Sequence, residues 1–217
     1  MIKSKKELAY YINCDLVARG LEGGIKDITI LKNISAMLIP HPWKYQILLR
    51  KAEYYTNVGG KISKTLLGNY WKFRAYRYGS KCGYSIPLNV FGPGLCLGHL
   101  GTIVINGGVR FGSNARIQSC VNIGAFSKFD ENWKENAAPS FGDNIYIGPG
   151  AKIFGPIRIG SNVAIGANAV VSKDVPDHCT VVGANIVVNQ KGSIDMLHYG
   201  DNSVTPKDSY AFKIEKD

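Results

Sequence analysis

The chain has 217 residues, of which 45% are hydrophobic and 19% charged, and its formal net charge is +10. This balance is typical of a soluble globular protein and excludes a disordered or collagen-like chain. No apolar run reaches the roughly 20 residues of a membrane span, and the N-terminus lacks an apolar signal core, so we expect a cytoplasmic protein. Five scattered cysteines form no close pair of metal-binding or redox type, and we expect reduced thiols.

The first 80 residues carry helical periodicity. Ser4-Lys5-Lys6-Glu7 has the spacing of a capping box, and apolar residues continue at helical intervals to about Arg19. A second periodic stretch begins at His41-Pro42, and a third begins after the break at Gly59-Gly60. Residues 1–80 are therefore predicted to form an α-helical domain.

Basic residues are concentrated in this domain. Between His41 and Lys81 the chain has nine basic residues and one acidic residue, Glu53. A solvated helix face would explain this excess, and so would attraction to an anionic acceptor, to coenzyme phosphates or to a membrane surface. No nucleic-acid-binding motif accompanies the basic residues, so no nucleic-acid partner is expected.

Aromatic residues recur in the same region at helical spacing. Stacking on sugars would use such residues, but packing between helices is the commoner role for aromatic side chains at this spacing, and we predict packing. The residues concerned are Trp43, Tyr45, Tyr54, Tyr55, Tyr70, Trp71, Phe73, Tyr76 and Tyr78.

A medium-sized apolar residue occupies every sixth position in two later blocks of the chain. The blocks keep one phase, because the gap from Ile123 to Phe141 is three sixes. A period of six excludes the period-two alternation of a β-sandwich and is typical of a parallel β-helix built from hexapeptide repeats. The repeated positions are Ile105, Phe111, Ile117, Ile123, Phe141, Ile147, Ile153, Ile159, Ile165 and Val171.

The repeats set the expected domain boundaries. Residues 81–188 are predicted to form the β-helix, with residues 125–138 protruding from it as a loop. Residues 189–217 lose the repeat and are predicted to be a C-terminal extension.

His99 lies inside the repeat region, in the phase of an apolar position. A buried imidazole is costly without a partner, so His99 is either a satisfied structural histidine or an outward-facing functional one. Cys96, three residues earlier, falls on the opposite side of a strand, which disfavours a cysteine nucleophile. A zinc site would need three histidines, and the region offers His99 with only His178 at its far edge, so no metal is expected.

The segment from Gly94 to Ile105 resembles the active-site coil of serine acetyltransferase and its relatives, the hexapeptide-repeat acyltransferases. The resemblance runs from about Pro87 to Gly124 and resumes from Pro139 to Gly183. It implies a mainly β fold, a left-handed parallel β-helix preceded by a small α-helical domain.

The resemblance also implies a chemistry. His99 would act as general base, taking the proton from an acceptor hydroxyl as it attacks the thioester of acetyl-CoA. Backbone N–H groups of the coil would hold the oxyanion. The family works as trimers, so a homotrimer is implied in which His99 of one chain faces the coenzyme lying along another.

The resemblance further implies where acetyl-CoA would bind. Small side chains would let the pantetheine arm of the coenzyme approach, although the geometry of the corners alone would also explain them. A polar and a basic residue match the stretch near the coenzyme phosphates, and the alternative for the basic one is an ordinary exposed lysine. These residues are Gly124, Ala125, Pro149, Ala167, Ser172 and Lys173.

The chain departs from the serine acetyltransferase pattern at three positions. Gly98 stands where the family has the aspartate that holds the amino acid acceptor, and Ala138 stands where a second histidine is expected. We therefore expect an acceptor other than free serine. Tyr84 stands where an acid orients the imidazole, and it is a candidate for that role through its hydroxyl. The alternative orienting groups are Asp130, Glu131 and Glu135.

The loop at residues 126–136 mixes aromatic and polar residues near where the family binds its acceptor. Phe126, Phe129 and Trp133 are candidate contacts for sugar faces, and an irregular solvent loop is the alternative. Together these features resemble the branch that O-acetylates capsular or other surface polysaccharides or their sugar precursors. Two alternatives stay open: acetyl transfer to a small acceptor, either serine or an antibiotic hydroxyl, and a non-catalytic β-helix scaffold.

Overall fold

The computed structural model describes residues 1–21, 40–60, 64–125 and 137–189. The helices are α1 (Lys5–Val17), α2 (Pro42–Asn57) and α3 (Asn69–Cys82), with a π-helical turn at Lys64–Gly68 directly before α3. The hydroxyl of Ser4 accepts a hydrogen bond from the backbone N–H of Glu7, as the capping box predicts. None of the helices in these ranges combines the length and hydropathy that crossing a bilayer requires.

Fourteen short strands follow α3 within the described residues. They are β1 (Tyr84–Ser85), β2 (Cys96–Leu97), β3 (Ile103–Ile105), β4 (Arg110–Phe111), β5 (Ala115–Ile117), β6 (Val121–Gly124), β7 (Ser140–Phe141), β8 (Ile145–Ile147), β9 (Lys152–Phe154), β10 (Arg158–Ile159), β11 (Ala164–Ile165), β12 (Val170–Val171), β13 (Thr180–Val182) and β14 (Ile186–Asn189).

The strands stack into the three sheets of a β-helix. Sheet A has the order β1-β3-β6-β9-β12, sheet B has β2-β5-β8-β11-β13-β14, and sheet C has β4-β7-β10. The chain visits B, A and C in turn, and strands pair in parallel between successive coils. The exception is β14, which pairs antiparallel with β13 at the C-terminal end of sheet B.

The sixth-residue positions form the interior of this solenoid. All ten repeated apolar residues are buried, and their stacking is direct: the paired positions include Ile117 with Ile147 and Ile147 with Ile165. The ring of Phe111 stacks on that of Phe141 with centroids 4.0 Å apart. The hexapeptide prediction is confirmed, and each coil buries its apolar residues against the coils before and after it.

Asparagines occupy the corner between sheets C and B. Asn114, Asn144 and Asn162 have left-handed backbones with φ of 63°, 58° and 58°, a conformation that asparagine tolerates better than most residues. The side-chain amide of Asn114 donates to the side-chain oxygen of Asn144 at 2.8 Å, and Asn144 donates in the same way to Asn162 at 2.8 Å. This ladder ties one corner of three successive coils together.

A buried ion network joins the helices to the first coil of the solenoid. Arg50 is 0% exposed, and its guanidinium donates to the carboxylate of Asp15 at 2.8 and 3.1 Å and to that of Glu53 at 3.0 Å. It also donates to the backbone carbonyls of Phe91 and Gly92 at 2.9 and 2.7 Å. Although burial alone would lower the pKa of Arg50, the two carboxylates raise it, so the guanidinium stays charged.

The two carboxylates also bind the first coil directly. Asp15 accepts from the backbone N–H groups of Gly94 and Leu95 at 3.0 and 2.8 Å, and Glu53 accepts from that of Asn89 at 2.8 Å. Among the residues that the structure describes, no coil precedes this one to satisfy these groups, and side chains of the helices take that place.

The aromatic residues predicted to pack differ in burial, and Trp43, Tyr55, Trp71 and Tyr78 are partly buried. Tyr45 and Tyr54 are buried as predicted, whereas Tyr70, Phe73 and Tyr76 of α3 are 50%, 58% and 76% exposed, and the packing prediction is wrong for these three. The reason is that α3 packs through small residues: a Cβ on Gly79 would lie 2.8 Å from the ring of Tyr45. Close approach on the glycine side leaves the aromatic side of α3 in solvent.

Candidate active site

His99 lies in the turn that joins β2 of sheet B to β3 of sheet A. Cys96 and Leu97 of β2 are buried, whereas His99 is exposed. Of the two alternatives for this histidine, the outward-facing one describes the structure. Cys96 lies in the interior, and burial raises the pKa of its thiol, so it is poorly suited to act as a nucleophile.

Tyr84 holds the turn through the main chain. Its hydroxyl donates to the backbone carbonyl of His99 at 2.7 Å, so this hydrogen bond positions the peptide that carries the imidazole and does not go to the ring. This differs from the expected direct contact with the imidazole. Burial raises the pKa of Tyr84, so its hydroxyl is protonated and can donate at neutral pH.

Two side chains from the helices bind the strand that leads to His99. Gln46, which is buried, donates to the carbonyl of Leu95 at 2.5 Å and accepts from the N–H of Leu97 at 3.4 Å. Arg19 donates to the carbonyl of Leu97 at 2.7 Å. Sequence reasoning missed both residues, because their partners are backbone groups about fifty or more positions away and no local pattern marks such contacts.

The structure brings two of the predicted coenzyme residues to the edge that carries His99. Pro149 and Ala167 lie in the turns from sheet B to sheet A of later coils, as His99 does in the first. These turns stack closely: a Cβ on Gly148 would lie 2.7 Å from the backbone nitrogen of Ala167.

The same edge holds a residue that sequence reasoning missed. Gln118 follows β5, whose Ile117 pairs with Leu97, so Gln118 lies one coil beyond Gly98. A Cβ on Gly98 would lie 2.5 Å from the side-chain oxygen of Gln118. The amide of Gln118 therefore lies directly beside the position that precedes His99. The register of the coils would have revealed it, since 98 and 118 are equivalent positions.

The other four predicted coenzyme residues lie at the opposite edge of sheet A. Gly124 ends β6 and pairs with Phe154, and Ala125 follows it. Ser172 and Lys173 follow β12; the Ser172 hydroxyl accepts from the Asn185 side chain at 3.2 Å, and Lys173 is exposed. The six residues are thus divided between the two edges of one sheet.

The outer surface of sheet A separates these two edges. Its exposed side chains include apolar ones, with Val104, Phe154 and Val170 at 43%, 38% and 37% exposure. Exposed apolar side chains that lie close together on one sheet are typical of a surface that binds a ligand or another protein chain.

Several predicted residues lie outside the described ranges. These are Phe126, Phe129 and Trp133 and the alternative orienting acids Asp130, Glu131 and Glu135. Across the ranges that the structure does describe, no group of three or more His, Cys, Asp or Glu side chains is placed to hold a metal ion.

Comparisons with known proteins bear on this site. Somewhat less than half of the chain is similar in sequence to serine acetyltransferases. The relative from Buchnera aphidicola is 39% identical over 97 residues, which cover 45% of this chain and 34% of that protein. The one from Staphylococcus aureus strain Mu50 is 41% identical over 102 residues, 46% of each chain. No family model matches the chain.

Solved structures extend the similarity to the helices. The crystal structure of Neisseria gonorrhoeae serine acetyltransferase in complex with serine is 27% identical, with a TM-score of 0.59, covering 86% of this chain and 71% of that one. The fold is thus the left-handed β-helix of these enzymes, as the resemblance implied. The chain spans only about a third to a half of the length of the relatives it matches in sequence. Those relatives lend no support to the polysaccharide branch.

Proposed function

We propose that the protein transfers the acetyl group of acetyl-CoA to a hydroxyl group of an acceptor. The observation that carries this proposal is the exposed His99, at an edge of a solenoid similar to that of serine acetyltransferases and held by Tyr84 through its own peptide. A fixed and exposed imidazole suits a general base at neutral pH.

In the proposed reaction His99 accepts the proton of the acceptor hydroxyl. The oxygen attacks the thioester carbonyl, the new C–O bond forms, and the C–S bond of acetyl-CoA breaks. The proton then passes from the imidazolium to the leaving thiolate, so no covalent enzyme intermediate is needed. General base catalysis of this kind contributes roughly 10²–10⁴-fold.

The edges of sheet A are the proposed binding surface for acetyl-CoA. Pro149 and Ala167 offer small side chains on the His99 edge, and a Cβ on Gly124 at the other edge would meet nothing within 4 Å. The exposed ammonium of Lys173 is the proposed contact for a coenzyme phosphate. The apolar side chains exposed on sheet A support a homotrimer in which a neighbouring solenoid covers them and completes the site.

The relatives make serine the first acceptor to test. They are serine acetyltransferases, and one solved structure holds serine itself. A second candidate is favoured by Gly98 and Gln118, because an uncharged amide lies beside the position that precedes His99. An amide binds a neutral hydroxyl but does not neutralise the ammonium of a free amino acid. This candidate class includes sugar hydroxyls and with them the polysaccharide acceptor that the sequence favoured.

The test is thiol release from acetyl-CoA by the purified protein, with L-serine and with mixed neutral and acidic oligosaccharides as separate acceptors. We expect His99→Ala to lose activity by at least about 100-fold. His178→Asn is the matched control, since it removes an exposed histidine at a left-handed corner (φ 59°) where asparagine fits. Equal activity of the wild type and His99→Ala would refute the role of His99.

Gly98→Asp separates the two acceptor classes. The new carboxylate would displace the side-chain end of Gln118, which is flexible enough to move. If the neutral amide excludes serine, this variant gains activity with L-serine and loses it with sugars. If the wild type already prefers serine, the neutral-acceptor candidate is wrong.

A further inference from the structure

The exposed side of α3 carries large apolar residues. We call these residues, with those of the π-helical turn before them, the outer surface of α3. Its apolar members are Leu66, Leu67, Tyr70, Phe73 and Tyr76. Five such neighbouring side chains are more than the scattered apolar residues that any protein surface carries.

The same surface is strongly basic. Lys72, Arg74, Arg77 and Lys81 are exposed on α3, and the chain has no acidic residue between Glu53 and Asp130. The guanidinium of Arg77 lies 5.7 Å from the ring centre of Phe73, and that of Arg74 lies 5.8 Å from the ring centre of Tyr70. Cations and aromatic rings therefore occupy one surface, without a nearby acid in sequence to neutralise them.

A cavity opens beside this surface, between α3 and α2. Its volume is about 250 Å³, well above the roughly 10–15 Å³ that a cavity needs to hold one water. Its lining combines three cations with apolar and aromatic walls: Leu48, Phe73, Arg74, Arg77, Tyr78 and Lys81. An anionic group with an apolar continuation matches both parts of this lining.

We propose that the outer surface of α3 docks onto an anionic phospholipid membrane. The phosphate of a lipid headgroup binds Arg74, Arg77 and Lys81 at the cavity, and the aromatic side chains lie at the level of the headgroups. Amphipathic helices with basic and aromatic residues bind membranes in this way, lying in the plane of the interface.

Charge and apolarity together favour this occupant over others. A two-fold contact between two copies would set Arg74, Arg77 and Lys81 against the same cations of the partner, which is repulsive. A soluble polyanion would satisfy the cations but would leave Leu66, Tyr70 and Phe73 in water. An anionic surface with an apolar interior satisfies both.

The test is sedimentation of the full chain with vesicles of phosphatidylcholine alone and of equal parts phosphatidylcholine and phosphatidylglycerol. We expect binding to the anionic vesicles only, weakened by salt. Arg77→Gln/Lys81→Gln should bind about 30-fold more weakly, because each cation near an anionic surface contributes about fivefold. The matched control is Lys6→Gln/Arg158→Gln, which removes the same charge from α1 and from sheet C and should change binding by less than about threefold.

A second pair of variants tests the apolar part. Tyr70→Ser/Phe73→Ser keeps every charge, so weaker vesicle binding with unchanged far-UV circular dichroism supports insertion of the rings. Three results would overturn the proposal: equal binding to both vesicle types, equal loss in both charge variants, or a lower oligomeric mass for Tyr70→Ser/Phe73→Ser. The assay involves no acetyl transfer, so its failure leaves the proposed activity untouched.

Discussion

The solenoid and the helices are held together by different kinds of interaction. In the solenoid, apolar residues such as Ile147 stack on identical neighbours, and asparagine amides such as that of Asn144 repeat along one corner. Where the helices meet the first coil, a buried guanidinium and two carboxylates satisfy individual backbone groups. Repetition allows each coil to use the next as its partner, but the first coil follows helices in the described part of the chain, and unlike side chains take the place of a preceding coil.

The difference has a consequence for stability. When one apolar side chain of the solenoid is shortened, similar apolar neighbours still pack around the site. When one ion of the network is removed, the oppositely charged side chains stay buried without a partner. The junction should therefore be the more sensitive of the two regions, and the following variants test that expectation.

Arg50→Ala should have the largest effect. It leaves Asp15 and Glu53 buried without their cation, and breaking a buried pair in this way costs about 3–5 kcal/mol. Urea denaturation followed by circular dichroism measures the loss. Arg77→Ala, an exposed arginine of α3, should stay within about 0.5 kcal/mol of the wild type.

A triple variant shows which part of the network matters. Arg50→Met/Asp15→Leu/Glu53→Leu removes all the charges, which often restores stability when a buried ion pair is merely electrostatic. Here we expect no recovery, because the backbone N–H groups of Gly94, Leu95 and Asn89 would lose their acceptors. Full recovery would show that the carboxylates do not serve to cap the first coil.

Asn144→Ala, within the solenoid, should have the next largest effect on stability. It removes two hydrogen bonds of the asparagine ladder. It also places alanine at a left-handed backbone position with φ 58°, which alanine tolerates less well than asparagine. Together these effects should cost about 2–3 kcal/mol of unfolding free energy. Asn144→Gly restores the backbone freedom but not the bonds, so it should be less destabilised by about 1 kcal/mol. Equal unfolding free energies for the two variants would show that backbone strain is not involved.

Tyr84→Phe should cost about 1 kcal/mol of stability, because it removes one hydrogen bond and keeps the ring against Tyr45. If the proposed function is correct, kcat should fall about tenfold with little change in KM for acetyl-CoA, since the turn carrying His99 loses its anchor. Tyr146→Phe, on sheet B, is the control. A change confined to KM would contradict a positioning role for Tyr84.

Alkaline pH should lower the unfolding free energy through two buried cysteines of the helices. Near neutral pH this effect should be the smallest of those expected. Burial raises the pKa of Cys14 to about 12 and that of Cys82 to about 11, from an ordinary value of 9.0. Folded values above the unfolded ones mean that this stability is complete below pH 9 and is lost as pH rises towards 11 and 12. Cys14→Ala should flatten the fall in unfolding free energy over that range, and an unchanged slope would count against it.

The repeat itself was predictable from the sequence, and so was the candidate base. The apolar period of six runs from Ile105 to Val171, and few folds have such a period. The resemblance of the sequence around His99 to an acyltransferase active site suggested the general base. The outward position of His99 was not predictable, because its phase is that of an apolar interior residue. The turn that contains Gly98 and Gly101 takes the chain out of that phase, and only the three-dimensional structure shows where it places His99.

The helical region shows most clearly what the sequence could not predict. Arg50 and Arg77 both lie in basic, helical sequence, yet one is wholly buried and the other exposed. Likewise Tyr45 is buried while Phe73 is exposed, although both follow helical spacing. Helical periodicity defines the sides of a helix but not which side packs, and that choice depends on how closely α3 approaches α2 at Gly79.

The sequence by itself determined the solenoid and its phase, because each repeat specifies its own strand and turn through local pattern, and it proposed His99 as the candidate base. The tertiary structure decided which residues cap the first coil, what lies beside Gly98 and which side chains of α3 are exposed. These features arise from contacts between residues far apart in the chain, and such contacts depend on packing and charge pairing that no local period encodes.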